Sequence, residues 1–258
     1  MSTIVFDSVN IDEITLADPK SSRASSSCKT AYIQYRGQKL RIQTPVLLSA
    51  FDLKIKQMDS NSNASCNAAL SFATEDSDPD AKAFREFLVK FDEKIKKLAS
   101  EKMSVLGKKV DPKNIDSNFK ESVKVSDKYP ATFSPKVWLR LKNPESGSMK
   151  NVEHVTMDMK VFNMETEPIS YEEVKRNCPT ALIVTPSYLW CSSIGVGITW
   201  SATECIVKPN EEESFGFKMG ASFDKFKRKP EDVYGESKKS KYEYENEVDE
   251  LQDETLDF

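Results

Sequence analysis

Between Thr30 and Lys208 the chain returns repeatedly to short runs rich in β-branched and aromatic residues, and only once does its apolar period lengthen to that of a helix. TAYIQYR, KLRIQTPVLLSAF, ALSFATE, PATFSPKVWLRLKN, VEHVTMDMKVFNM, TALIVTPSYLW and IGVGITWSATECIVK all read as strands. The first two flank Gly37-Gln38 and predict a β hairpin, with Pro45 placing the second arm at an edge or bend. Residues 81–106 carry Phe84, Phe87, Leu88, Phe91, Ile95 and Leu98 at three- and four-residue spacing. That spacing predicts an amphipathic helix, capped by Asp78 or Asp80 and ended by Gly107, whose rings belong to a core.

Strands and helices do not alternate as they do in parallel α/β chains. Three strands, one helix and several further strands predict a mainly β protein, an antiparallel barrel or sandwich. A five-stranded barrel with its helix after the third strand matches an OB fold. Outside this body, at residues 30–209, we expect an N-terminal arm at 1–29 containing the Ser-rich SSRASSSC, a basic linker at 210–241 and an acidic tail at 242–258.

Several classes of chemistry find little support. Eight glycines, with Gly195 and Gly197 the only close pair, are too few for the phosphate loops of nucleotide-binding enzymes. The five cysteines, Cys28, Cys66, Cys178, Cys191 and Cys205, are widely spaced and share the chain with one histidine, His154. Buried reduced thiols are the expectation, with neither a zinc site nor a disulfide framework. His154 alone makes no triad, and Glu153 and Asp158 read as ordinary strand residues, so neither an enzyme nor a cofactor is expected. MSTIVFDSVNIDE does not read as a secretory signal, and no run of about 18 apolar residues suggests a membrane span. A soluble protein of a reducing compartment is the expectation.

The charge is strongly segregated. Tyr242–Phe258 holds eight acids and no base, and subtracting that −8 from the overall −4 leaves residues 1–241 at +4. A basic stretch from Lys225 to Lys241 precedes it. A self-repelling run with so little apolar surface is expected to be disordered. It ends in TLDF, where Phe258 offers a ring and an α-carboxylate to a basic pocket on a partner.

Alternation along the strands sorts the remaining charges. In VWLRLK, Val137, Leu139 and Leu141 face one way and Trp138, Arg140 and Lys142 the other. In the predicted hairpin, Tyr32, Gln34 and Arg36 share a face, as do Lys39, Arg41 and Gln43. Aromatic rings beside cations suit a single strand of nucleic acid, because bases of any sequence stack on a ring while basic groups follow the backbone. Tyr32, Arg36, Lys39, Arg41, Trp138, Arg140 and Lys142 are therefore the candidate DNA-binding residues. Trp200, in phase with Val196 and Ile198, reads as core, while Tyr188 and Trp190 stay open between the two roles.

The order of strands, the inserted helix and the acidic tail ending in phenylalanine resemble the phage T7-type single-stranded DNA-binding proteins, including related ones of large eukaryotic DNA viruses. YRGQKLRIQTP (Tyr35–Pro45) and GVGITW (Gly195–Trp200) are similar to recurrent segments of the viral group. The resemblance covers residues 30–208 and, by composition, the tail. It implies an OB-fold protein that coats single-stranded DNA in replication, recombination or repair within the infected host cell, in nucleus or cytoplasm. It further implies that the acids from Glu243 to Asp257 occupy the groove when DNA is absent. Once displaced, Glu250, Asp253, Glu254, Asp257 and Phe258 would recruit DNA polymerase or helicase-primase. The long loop from Lys108 to Lys128 and the long N-terminal arm depart from the family, and a homodimer is left open. The rival reading is a virion component or scaffold that contacts proteins only.

Overall fold

The computed structural model describes residues 3–21, 29–57, 62–106, 115–145, 147–192 and 195–208. Most of the Ser-rich stretch with Cys28, the linker, and the tail with Glu250, Asp253, Glu254, Asp257 and Phe258 lie outside the described residues.

Three short strands, β1 (Ile4–Val5), β2 (Ile14–Leu16) and β3 (Lys20–Ser21), precede β4 (Lys29–Tyr35), β5 (Ile42–Gln43), β6 (Leu47–Ser49) and β7 (Leu70–Ser71). The long helix α1 (Pro79–Leu106) and the single turn α2 (Ile115–Asn118) follow. Next come β8 (Phe119–Lys120), β9 (Val123–Lys124), β10 (Thr132–Phe133), β11 (Lys136–Val137), β12 (Leu139–Leu141), β13 (Val155–Met157) and β14 (Lys160–Phe162). Two long strands, β15 (Pro179–Ser192) and β16 (Gly195–Val207), complete the body.

The last two strands pair antiparallel along almost their whole length, from Thr180↔Val207 to Ser192↔Gly195. On its other side β15 pairs with β6, and β6 with β7. The segment before β7 meets β11 at Asn67↔Lys136, where the Val137 N–H donates to the Cys66 carbonyl at 2.8 Å. Finally β11 joins β16 at Lys136↔Ser201 and Val137↔Ala202. Five strand segments thus close a small OB-like barrel, mainly β with one long helix. Closure leaves few unpaired edges. The short strands β8, β11 and β14 join β16 in parallel, each reaching it over an intervening segment rather than a tight turn.

The predicted hairpin does not form as a ladder. Both of its arms pair with β15 instead, β4 at Tyr32↔Tyr188 and β5 at Ile42↔Val184. Between them the chain leaves β15, pairs Ile33–Tyr35 with β2, turns at Arg36 (φ 51°) and Gly37 (φ 75°), and returns. A single bridge, Tyr35↔Gln38, is all that joins the arms. The 14-residue β15 offers both arms a longer ladder than they can offer each other. Burial of Leu40 and Ile42 holds the return leg against the core.

Helix α1 follows its periodicity. Asp78 is the cap, its Oδ1 accepting from the Asp80 and Ala81 N–H groups at 3.0 and 3.3 Å, with Pro79 in the first turn. Phe84, Leu88, Phe91 and Ile95 are fully buried. Phe84 meets Phe6 and Phe133 at centroid distances of 5.2 and 5.7 Å, and Phe91 meets Trp200 at 4.9 Å. Trp200 is core, as its phase predicted. Cys66, Cys178, Cys191 and Cys205 are buried and form no disulfide among the described residues, and burial pushes the Cys66 and Cys205 thiols up to about 12. No helix among the described residues is long and apolar enough to cross a membrane.

One acid is buried beside these rings. Asp92 of α1 accepts from the Ser122 hydroxyl at 2.6 Å and the Ser122 N–H at 2.7 Å, and Ser122 Oγ accepts from Trp200 Nε1–H at 2.7 Å. Desolvation outweighs these bonds and raises its carboxyl from 3.8 to about 6. Between those values the native state holds a proton that the unfolded chain has released. The contribution is therefore fully present below about pH 4 and is lost as pH rises through 6, by on the order of 3 kcal/mol. Urea unfolding of the native chain and of Asp92→Asn should differ in slope across pH 4–6 and run parallel above it. Parallel curves throughout that window would contradict the buried, raised carboxyl.

Candidate nucleic-acid interface

Residues paired across neighbouring strands point to the same face of a sheet. In the barrel wall formed by β4, β15 and β16, Ala31, Leu189 and Val196 point inward and are fully buried. The alternate residues point out. One outward row runs Tyr32, Tyr188 and Thr199. The next runs Lys20, Thr30, Trp190, Gly197 and Lys120 across five strands. Tyr32 is 53% exposed, Tyr188 and Trp190 are half-buried, and Lys20 and Lys120 are exposed at the two ends of their row.

Gly197 explains how the indole is held. A Cβ at this position would lie 2.7 Å from Trp190 Cζ2 and 3.0 Å from Cε2, so the ring lies directly across the glycine. The same Cβ would approach Lys120 Cβ at 3.2 Å, placing the lysine stem on the other side of the notch. The ring is therefore braced against backbone on one side. Along β15, Tyr188 and Trp190 are two residues or about 7 Å apart, roughly twice the ~3.4 Å rise per nucleotide of a duplex strand. Such rings suit bases drawn apart along an extended strand. Gly197→Ala is expected to lift the indole and shift tryptophan emission to longer wavelength; unchanged emission would contradict the packing described.

A second aromatic and cationic stretch begins at the edge of this wall. Lys136 pairs with the buried Ser201 and is itself exposed. Its Nζ sits 4.9 Å from the Trp138 ring centroid, a cation–π contact. Trp138, 39% exposed, then Arg140 and Lys142 follow at alternate positions on the exposed side of the two-stranded β12–β13 ribbon. Arg140 lies 4.0 Å from Asp158, a wet surface pair that contributes little.

The candidate residues are thus distributed unequally. Tyr32 lies on the aromatic wall, and Trp138, Arg140 and Lys142 share one exposed face as their alternation predicted. Arg41 sits on the outward side farther along the wall, its Nη2–H donating to Glu204 Oε1 at 2.7 Å. Arg36 is in the turn beyond β4, where its Nε–H donates to Glu13 Oε2 at 2.5 Å. That contact holds the Glu13 carboxyl below its usual range. Lys39 is exposed just past this turn. Neither Arg36 nor Lys39 belongs to the rows that carry the rings, because the arms do not pair. Tyr188 and Trp190, open between two roles on sequence, lie on the outward wall, and Lys20, Lys120, Lys136 and Gly197 were not among the candidates. A hairpin centred between residues 193 and 194 would have set Trp190 opposite Gly197.

His154 serves its own loop, with Nδ1 accepting from the Ser148 N–H at 3.1 Å. Among the described residues no cluster of three or more His, Cys, Asp or Glu side chains could hold a metal ion.

No protein-family model and no curated protein sequence matches the chain. Solved structures do. The single-stranded DNA-binding protein of bacteriophage Enc34 in complex with ssDNA is 11% identical, over 78% of this chain and 98% of that one, with a TM-score of 0.37. The single-stranded DNA-binding protein gp2.5 of bacteriophage T7 is 10% identical, over 66% and 91%, with a TM-score of 0.43. A further structure of the Enc34 single-stranded DNA-binding protein is 13% identical, over 82% and 99%, with a TM-score of 0.35.

Proposed function

We propose that the chain binds single-stranded DNA without regard to sequence, and does no chemistry on it. What supports this reading is the outward wall of Tyr32, Tyr188 and Trp190, with Lys20 and Lys120 at its margins and Gly197 seating the indole. The outward side of each ring offers a base a stacking surface worth roughly 1 to 3 kcal/mol, and every base has such a face. Lys136, Trp138, Arg140 and Lys142 continue the track from the edge of the wall, and Arg41 extends it along β16.

In this reading the protein covers exposed strands during replication, recombination or repair in an infected cell. The acidic tail competes with DNA for the cationic track, and Phe258 with its neighbouring acids engages replication proteins once the tail is released. Titrating a thymidine oligomer against tryptophan fluorescence tests the binding. Quenching is expected, with affinity falling with salt at a log-log slope of about −0.7 for each phosphate contact. A chain lacking residues 242–258 is expected to bind more tightly in the same titration, and weaker binding would refute the competing tail. Absence of quenching and of salt-sensitive binding would favour a scaffold that contacts proteins only.

A further inference from the structure

At the far end of the same wall the outward row is Gln43, Ile183, Glu204 and Lys160, as their pairings set it. Arg41, two residues before Gln43, reaches from the neighbouring row to Glu204 at 2.7 Å. Glu204 is an odd residue to find there. It is the single charged side chain in β15 and β16 together. An acid on the outward side of a wall that otherwise suits a polyanion opposes binding unless it has a purpose of its own.

The ion pair it makes is incomplete. A guanidinium presents a fork of N–H groups that fits a two-point acceptor such as a phosphate. Glu204 takes a bond from Nη2, while the shielded Nε–H meets no acceptor among the described residues. Both side chains keep some contact with water, 25% exposed for Arg41 and 36% for Glu204. A partly wet pair with an orphaned donor is one that a better acceptor can exchange.

We propose that Glu204 is a built-in competitor for the DNA backbone: it occupies Arg41 in the free protein and yields it to a phosphate of the bound strand. The proposal rests on the outward wall being a single-strand track. It gives that track a threshold, since Arg41 is released only to a strand that extends past the rings to the Glu204 row. Lys160, paired with Glu204 across β14, remains to neutralise the displaced carboxylate.

The test is a four-protein cycle in the full chain: native, Glu204→Gln, Arg41→Met and the double variant. Each is titrated with a thymidine oligomer of about 16 nucleotides, the upper end of site sizes for one barrel of this kind. Glu204→Gln is expected to tighten binding roughly two- to fivefold when Arg41 is present. In the Arg41→Met background the same change is expected to give no gain. A gain in both backgrounds would mean that Glu204 acts only as a general negative charge, and no gain in either would mean that the pair is fixed; both overturn the proposal. Thermal melts of the four proteins separate loss of fold from loss of exchange. If the native protein itself fails to bind the oligomer, the single-strand reading falls, whereas binding without the expected cycle removes the competitor alone.

Discussion

Changing Tyr32, Tyr188 and Trp190 to alanine together is expected to weaken binding of thymidine oligomers by two orders of magnitude or more while leaving the fold intact. Three stacked bases at roughly 1 to 3 kcal/mol each would exceed this if the effects added, but neighbouring rings share bases and the sum is smaller. Trp190→Ala alone is expected to account for about tenfold. The rings lie on the outward face, and the core beneath them is made by Ala31, Leu189 and Val196, so the thermal transition should move little. Because stacking is indifferent to base identity, oligomers of dT, dA and dC are expected to lose affinity alike. Anisotropy of a labelled oligomer measures this without relying on the tryptophan that is removed. Unchanged affinity would show that the strand passes elsewhere.

The second large effect concerns stability. Phe84→Ala is expected to cost about 3 to 5 kcal/mol. Phe84 is fully buried and touches four other rings, Phe6, Phe72, Phe87 and Phe133, at centroid distances of 5.2 to 6.2 Å. It joins α1, the N-terminal segment, β10 and the residue after β7, so the cavity left behind has walls from four elements and cannot collapse by moving one of them. Urea unfolding monitored by circular dichroism checks this. A loss below about 1 kcal/mol would mean that α1 is attached to the barrel far more loosely than its ring contacts indicate.

The parts of this fold that local chemistry determines were legible in the sequence. Helix α1 announced itself through Phe84, Phe87, Leu88, Phe91 and Ile95, and its cap was narrowed to Asp78 or Asp80, of which Asp78 serves. The alternation of Trp138, Arg140 and Lys142 against Val137 and Leu139 gave the correct faces of the β11–β12 stretch. Trp200 was correctly placed inside. What local pattern does not encode is which strand another strand will choose, and the supposed hairpin partners turned to β15. Arg36 and Lys39 were carried away from the rings by that choice.

Tyr188 and Trp190 illustrate a different difficulty. Strict alternation from the buried Val184 through Pro186 would point both rings inward. A bulge between Pro186 and Tyr188 inserts one extra residue, Ser187, and turns every later side chain of β15 to the opposite face. Pro186, which has no N–H to give a ladder, was the available hint, and Gly197 across the hairpin was the confirmation that only pairing could supply. The candidate interface was half legible: its residue types were visible, but the face that gathers them depends on one irregularity.

Ultraviolet crosslinking of a thymidine oligomer to the full chain, followed by peptide mapping, tests the proposed track most directly. Crosslinks are expected at Tyr32, Tyr188 and Trp190, with Trp138 as a further point on longer oligomers. Crosslinks confined to other surfaces, such as the outer side of α1 or the turn at Arg36, would contradict the assignment of the β4–β15–β16 wall as the DNA-binding face.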